Sequence, residues 1–399
     1  MKIRLHSDAK ILILLSCIHS IVGTFFGTFL IAYVMQISSN EAVSLSIFNI
    51  SFYTMIAAGF LMLADYVKRR DKMFVYRFSV ITQIVLLLAI AYLKDGISPY
   101  IAILGAGYGL ALAFRHCPLN IMTGEKINKR IMTPFVGYKA MIGGTVAVLT
   151  PVLLGLFITA GSYEHMAVAM CFFLGLEYIL SFFISSKNVS DQKFGLACFL
   201  SKAKRSILIR RVYLVDFLAG FAKDPLGVVM TMYIVYLFGT NLNLGIITSI
   251  FAGITIFTNF LLGRFGQLKM FPNLLMVANV FIGAAAILFL GWTGAITFII
   301  YQFVNATAVK FMSNVREINL NNASNSACVG KDSRAEFFVG REMALSFGRI
   351  LGFLILFTIG FSGHMEFLKY YLVFLTAGVV LCGMISIKVC RHGLCRAAR

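Results

Sequence analysis

The sequence predicts an all-α membrane protein: twelve transmembrane helices in two pseudo-symmetric six-helix bundles, with both termini cytoplasmic. Three observations carry that expectation. Twelve apolar segments are long enough to cross hydrocarbon, Lys and Arg gather in every second loop, and short patterns recur roughly two hundred residues apart on matching segments.

The apolar segments fall at 9–37, 42–64, 73–93, 97–121, 133–160, 164–186, 208–238, 243–263, 270–291, 294–315, 336–361 and 366–389. The first continues too far to be a secretory leader and reads as a span. Composition agrees: 59% of residues are apolar and 13% charged, with mean hydropathy +0.87, whereas soluble domains carry about 25% charged residues. Some connections are very short, such as Gly239-Thr240-Asn241 and Gly363-His364-Met365. The longer basic segment 187–207 separates residues 1–186 from 208–399 and reads as a cytoplasmic linker between the bundles.

Lys and Arg exceed Asp and Glu by 35 − 16 = 19. These cations sit in short loops: Lys2, Arg4 and Lys10 before the first span, and Lys68, Arg69, Arg70 and Lys72 after the second. Lys126, Lys129 and Arg130 follow the fourth, Arg264 and Lys269 the eighth, Arg316, Lys331 and Arg334 the tenth, and Lys388, Arg391, Arg396 and Arg399 the last. Opposite loops offer little beyond Lys94 and Lys369. This alternation orients a multi-pass protein of the inner membrane. It leaves no exposed basic domain, so nucleic acid is not an expected partner.

Eight scattered cysteines make no disulfide framework. Cys390 and Cys395 flank Arg391-His392-Gly393-Leu394, which reads as a basic juxtamembrane tail rather than a metal clip or lipidation site. No metal or cofactor is expected.

Four patterns repeat. Gly27 and Tyr33 recur as Gly227 and Tyr233; Arg115 in span four falls opposite Lys310 in span ten; Phe135-Val136-Gly137 recurs as Phe338-Val339-Gly340; and the loop 65–70 corresponds to 263–268. Their order points to two homologous halves in parallel orientation.

With these features the sequence resembles the major facilitator superfamily of secondary transporters over essentially the whole chain. The family's second–third loop reads roughly Gly-x-x-x-Asp-x-x-Gly-Arg-Arg. Asp65, Arg69 and Arg70 match it, while Leu61 and Lys68 stand where the family has glycine. The resemblance implies that Asp65, with Arg69 and Arg70, latches the outward-facing state against span eleven; otherwise these are surface charges that set topology. In span five, Gly143-Gly144 and Thr150-Pro151-Val152-Leu153-Leu154-Gly155 partly match the family's exporter pattern, with Thr150 in place of a glycine. Uptake and export both remain open.

Ionisable side chains inside spans are expensive and mark cavities or partners. They are His19 in span one, Arg115 and His116 in span four, and Glu177 in span six. Asp216, Lys223 and Asp224 lie in span seven, Lys310 in span ten and Arg349 in span eleven. The resemblance implies that spans one, four, seven and ten line the central cavity, and most of these residues lie there. Arg115 and Lys310, repeat-related cations, together with Arg349, His19 and His116, are the expected substrate ligands, with a preference for an anionic or zwitterionic group. Asp224, Asp216 and Glu177 are the expected proton-coupling groups. The alternatives are structural: an ion pair of Asp224 with Arg115 or Lys310, and a helix–helix hydrogen bond for Glu177. Arg341 and Glu342 read as a gate or capping pair near a helix end.

The expected function is secondary active transport of a small organic solute by alternating access, coupled to protons, in a monomer. A membrane acyl or glycosyl transferase, a channel and a lipid flippase are the alternatives. No clustered nucleophile or ATP-binding glycine loop appears in the sequence, so an enzyme is not expected and any pumping must use a gradient.

Overall fold

The structure, a computed structural model, describes residues 7–69, 71–126, 129–184, 194–265, 268–324, 333–364 and 366–397. Among them are twelve helices long and apolar enough to cross a bilayer. They are α1 (Ser7–Ile37), α2 (Glu41–Arg69), α3 (Lys72–Leu93), α4 (Ile101–Lys126), α5 (Lys129–Ala160) and α6 (Tyr163–Leu180), followed by α7 (Ile207–Phe238), α8 (Asn241–Phe265), α9 (Phe271–Gly291), α10 (Ala295–Leu320), α11 (Arg334–Phe361) and α12 (Phe367–Ala397). No strand occurs among the described residues. Large apolar side chains such as Phe361 (79% exposed) and Ile296 (76%) cover the outside. Water would reject that surface and hydrocarbon accepts it. The chain is a multi-pass membrane protein.

Local chemistry explains where the helices begin and end. Asn40 Oδ1 accepts from Val43 N–H and Asp71 Oδ1 from Met73 N–H, capping α2 and α3. Ser162 caps α6 by accepting from His165 N–H. Gly239 and Gly363, at φ +73° and +74°, let the chain reverse after α7 and α11. Several helices outrun their apolar segments, because backbone hydrogen bonding continues into the polar edge of a membrane. Strand-like propensity is irrelevant there.

Two π-helical turns occur among the described residues. Phe25–Phe29 in α1 and Asn305–Val309 in α10 adopt the wider π-helical turn, the first closed by Leu30 N–H donating to Phe25 C=O. The second immediately precedes Lys310.

The chain forms two compact units, Met1–Lys193 with Ile234–Ile250, and Phe194–Tyr233 with Phe251–Arg399. Within the first, Gly105 and Gly109 of α4 lie on the carbonyls of Phe48 and Phe52 in α2, where any side chain would collide with backbone. Gly155 of α5 is equally tight: a Cβ there would stand 2.7 Å from Asn241 C=O, while Gly143 has open space. Within the second, Gly348 and Gly352 of α11 meet the carbonyls of Phe217 and Phe221 in α7.

Part of the segment read as linker is ordered helix. Leu196–Ala203 buries Phe199 and Ala203 against Ile209, Val212 and Phe337 of the second unit, and Gly195 N–H donates to Glu336 Oε1 at 3.2 Å. The cations that flank it, Lys204 and Arg205, drew the reading by charge toward a loop.

Replacing Gly109 with Ala should lower the thermal stability of the detergent-purified protein by about 1–3 kcal/mol, since α2 must retreat. Gly143→Ala should leave the melting temperature nearly unchanged. Equal midpoints for the two variants would remove the close-packing account.

Candidate functional site

The ionisable side chains inside the spans collect into two clusters, one in each unit. In the first unit Arg115 (α4) is 2% exposed and forms an ion pair with Glu177 (α6), itself fully buried. The Tyr76 hydroxyl (α3) donates to the same Glu177 Oε1 and accepts from Arg115 Nη1 at 2.9 Å. The second guanidinium nitrogen of Arg115, Nη2, donates to Leu15 C=O in α1 at 3.2 Å. Four helices thus meet at one carboxylate–guanidinium pair.

Glu177 uses only half of its acceptor capacity. Its Oε2 is buried without a hydrogen-bond partner, and so is Nδ1 of His19 on α1; the two stand 3.9 Å apart. The His19 ring meets the exposed His116 edge-to-face, centroids 6.4 Å apart. Arg77, one residue beyond Tyr76, donates to Ser181 Oγ at 3.1 Å and lies over the Phe182 ring, fastening α3 to the end of α6.

The second unit holds a larger cluster on α7, α10 and α11. Asp216 is fully buried and shared by two arginines, Arg341 at 3.2 Å and Arg316 at 3.5 Å. Asp224, two turns further along α7, pairs with Arg349, which also donates to Glu342 Oε1 at 2.9 Å. Lys223 is half-buried beside them, within electrostatic reach of Asp224, Arg316, Lys310 and Arg349. Neither Lys223 nor Lys310 has an ion pair among the described residues.

This cluster carries five cations, Lys223, Lys310, Arg316, Arg341 and Arg349, and three carboxylates, Asp216, Asp224 and Glu342. The excess of two positive charges falls on the two lysines. Just before Lys310 on α10, the side-chain carbonyls of Gln302 and Asn305 are also buried without partners. Charges and acceptors left open in this way suit a solute with a negative group and a donor.

The expected site residues are therefore distributed as follows. Arg115, His19, His116 and Glu177 come together in the first unit. Asp216, Asp224, Lys310, Arg349, Arg341 and Glu342 come together in the second. Asp224 meets Arg349 rather than Arg115 or Lys310, and Arg341 and Glu342 each pair with a different neighbour. Of the second–third loop charges, Asp65 and Arg69 bridge each other at 2.8 Å one turn apart, and Arg70 lies outside the described residues.

Two participants escaped the sequence reading. Arg316 was assigned to a loop because hydropathy ends the tenth span near 315, whereas the helix runs on past it. Tyr76 carries no sequence signal, since its hydroxyl matters only through the partners that folding supplies.

No family model matches the chain. The uncharacterised protein YqgE of Bacillus subtilis (strain 168) is 21% identical over 334 residues, covering 82% of this chain and 77% of that protein. Among solved structures, a bacterial homologue of the iron transporter ferroportin in an inward-facing state aligns over 97% of this chain and 100% of its own, with 14% identity and TM-score 0.68. The human organic anion transporter MFSD10 aligns over 95% and 98%, with 11% identity and TM-score 0.67.

Removing one member of the buried pair leaves a naked charge. Glu177→Ala and Arg115→Ala should each cost about 3–5 kcal/mol in thermal unfolding, and the two combined clearly less than the sum. Additive losses would show that the two side chains act independently. Twelve spans of this arrangement, aligned end to end with such transporters, give the chain the major facilitator fold.

Proposed function

We propose that the chain is a secondary active transporter for a small anionic or zwitterionic organic solute, working by alternating access and coupled to protons across the cytoplasmic membrane. The cationic excess on α7, α10 and α11 carries the substrate reading. Buried arginines that only held helices together would be balanced by carboxylates, as Arg115 is by Glu177. Lys223 and Lys310 are not balanced, and a positive potential in a low-dielectric setting draws an anion and repels a cation. The unpartnered carbonyls of Gln302 and Asn305 would accept from an ammonium or hydroxyl of the same solute.

In this reading Lys310 and Lys223 meet the anionic group, and Arg349 and Arg316 lend field while held by Asp224 and Asp216. The two six-helix halves, residues 1–186 and 208–399, rock about the midplane. Asp65, Arg69 and Arg70 in the first half, and Arg341 and Glu342 in the second, are the gate residues of this reading. The fold's relation to transporters supports movement of cargo over chemistry on it. The cation excess of this cluster favours an anionic cargo over a metal ion, which would be repelled there.

Thermal unfolding of the purified full-length protein against carboxylates, phosphate esters and amino acids, with matched amines and neutral sugars, tests the substrate class. Anionic or zwitterionic members should raise the midpoint, by about 2.7 kcal/mol of stabilisation at a hundredfold excess over Kd. Lys310→Ala and Lys223→Ala should abolish that gain while leaving the unliganded midpoint within a few degrees. Stabilisation by amines or sugars alone, or intact stabilisation in both variants, would overturn the reading. Uptake of a stabilising solute into proteoliposomes should depend on an imposed pH gradient, and gradient-independent equilibration would leave a channel.

A further inference from the structure

The first unit holds one feature that neither helix packing nor solute binding uses: a buried carboxylate oxygen and a buried imidazole nitrogen, both without partners, pointed at each other. Glu177 is gripped from one side only. Arg115 and Tyr76 both bind Oε1, and Oε2 receives no donor. His19 Nδ1, 3.9 Å away, is the polar atom facing it. A buried acceptor left open in this manner is normally filled or removed, because its desolvation is uncompensated.

One proton resolves it. Placed on Nδ1, it makes an N–H that points at the open carboxylate oxygen, on an imidazolium when Nε2 is protonated as well. Placed on Oε2, it makes a carboxyl O–H that donates to the imidazole. Either way a single hydrogen bond satisfies both atoms, at the expense of a closure of roughly 1 Å to normal hydrogen-bond length. Without it, on a neutral ring whose proton sits on Nε2, both atoms stay unmet. The proton comes from water and returns to water, with no bond made or broken elsewhere.

The surroundings decide how tightly that proton is held. From α3 the site faces Tyr76, with Arg77 turned away onto Ser181; from α4 it faces Arg115 and His116, with Tyr108 beside Arg115. On α1 itself Cys17 lies two residues before His19, and Lys139 of α5 lies within electrostatic reach of Cys17. Arg115 and Glu177 cancel, so the empty site is neutral and the loaded one carries one positive charge. Arg115 and His116 face the site as cations, and Glu177 as an anion. His19 is slightly exposed, and the exposed His116 that meets it edge-to-face marks the side from which the proton arrives.

We propose that Glu177 Oε2 and His19 Nδ1 hold the exchangeable proton that drives this transporter. Proton and solute are then met on different units: the proton on α1 and α6, the solute's charge on α7 and α10. The assignment rests on the proposed gradient-driven transport but is tested without any solute, so the two readings fail separately.

Infrared difference spectroscopy of the full-length protein in lipid, titrated in water and in heavy water, follows a protonated carboxyl directly. Wild type should show a carboxylic C=O band that appears as the pH falls and vanishes as it rises, and its absence at every pH overturns the assignment. The band should be absent in Glu177→Gln. In His19→Gln its midpoint should move by about one pH unit or more, the mark of two coupled sites. Glu336→Gln, in the other unit, should leave it in place. A band that survives Glu177→Gln, or a midpoint unmoved in His19→Gln, overturns the assignment. Should Glu177→Gln fail to fold, Glu177→Asp keeps a carboxyl one methylene shorter, and an unshifted band in that variant overturns it equally.

Discussion

Hydrocarbon cannot solvate a charge, and the arrangement of this chain follows from that constraint. A guanidinium in the middle of a span must find oxygen atoms within the protein. Arg115 finds three kinds at once: a carboxylate, a phenol hydroxyl and a main-chain carbonyl, drawn from α6, α3 and α1. To satisfy one side chain, four helices are brought into a fixed relation. The glycines of α4 that rest on α2 extend that relation to a fifth helix without any polar contact.

The two halves answer the same constraint differently. The first closes its charges into a neutral pair and leaves one oxygen and one nitrogen over. The second leaves charge over: its carboxylates hold three arginines, and Lys223 and Lys310 remain outside every ion pair among the described residues. Repeat-related positions thereby diverge. Arg115 is buried and occupied, while Lys310, its counterpart in span ten, is half-exposed and open. A common ancestor of the halves would leave the scaffold shared and the charges free to specialise.

Spans, their number and the tight turns were legible in the sequence because they depend on hydropathy over about twenty residues and on single glycines. The ionisable residues were legible too, since each stands out against an apolar background. Their partners were not. Asp224 was matched with Arg115 or Lys310 on span position alone, but it meets Arg349, whose helical face turns toward α7. Glu177 sits on a span that the resemblance places at the periphery, yet it is the centre of the first cluster. Arg316 was lost because polar Ser313 and Asn314 pull the local hydropathy down while the helix continues. The π-helical turns left no signal at all, for one extra residue per turn changes neither composition nor length.

Asp216 holds Arg316 and Arg341 with a single side chain, so α7, α10 and α11 share one knot rather than two separate ties. Its loss would leave two like charges facing each other with nothing between them. In the course of divergence these three positions are therefore not free to drift one at a time. A lineage that gives up the aspartate has to neutralise both arginines, and one that gives up a single arginine leaves the other with a whole carboxylate to itself. The three residues should then be gained or lost as a set.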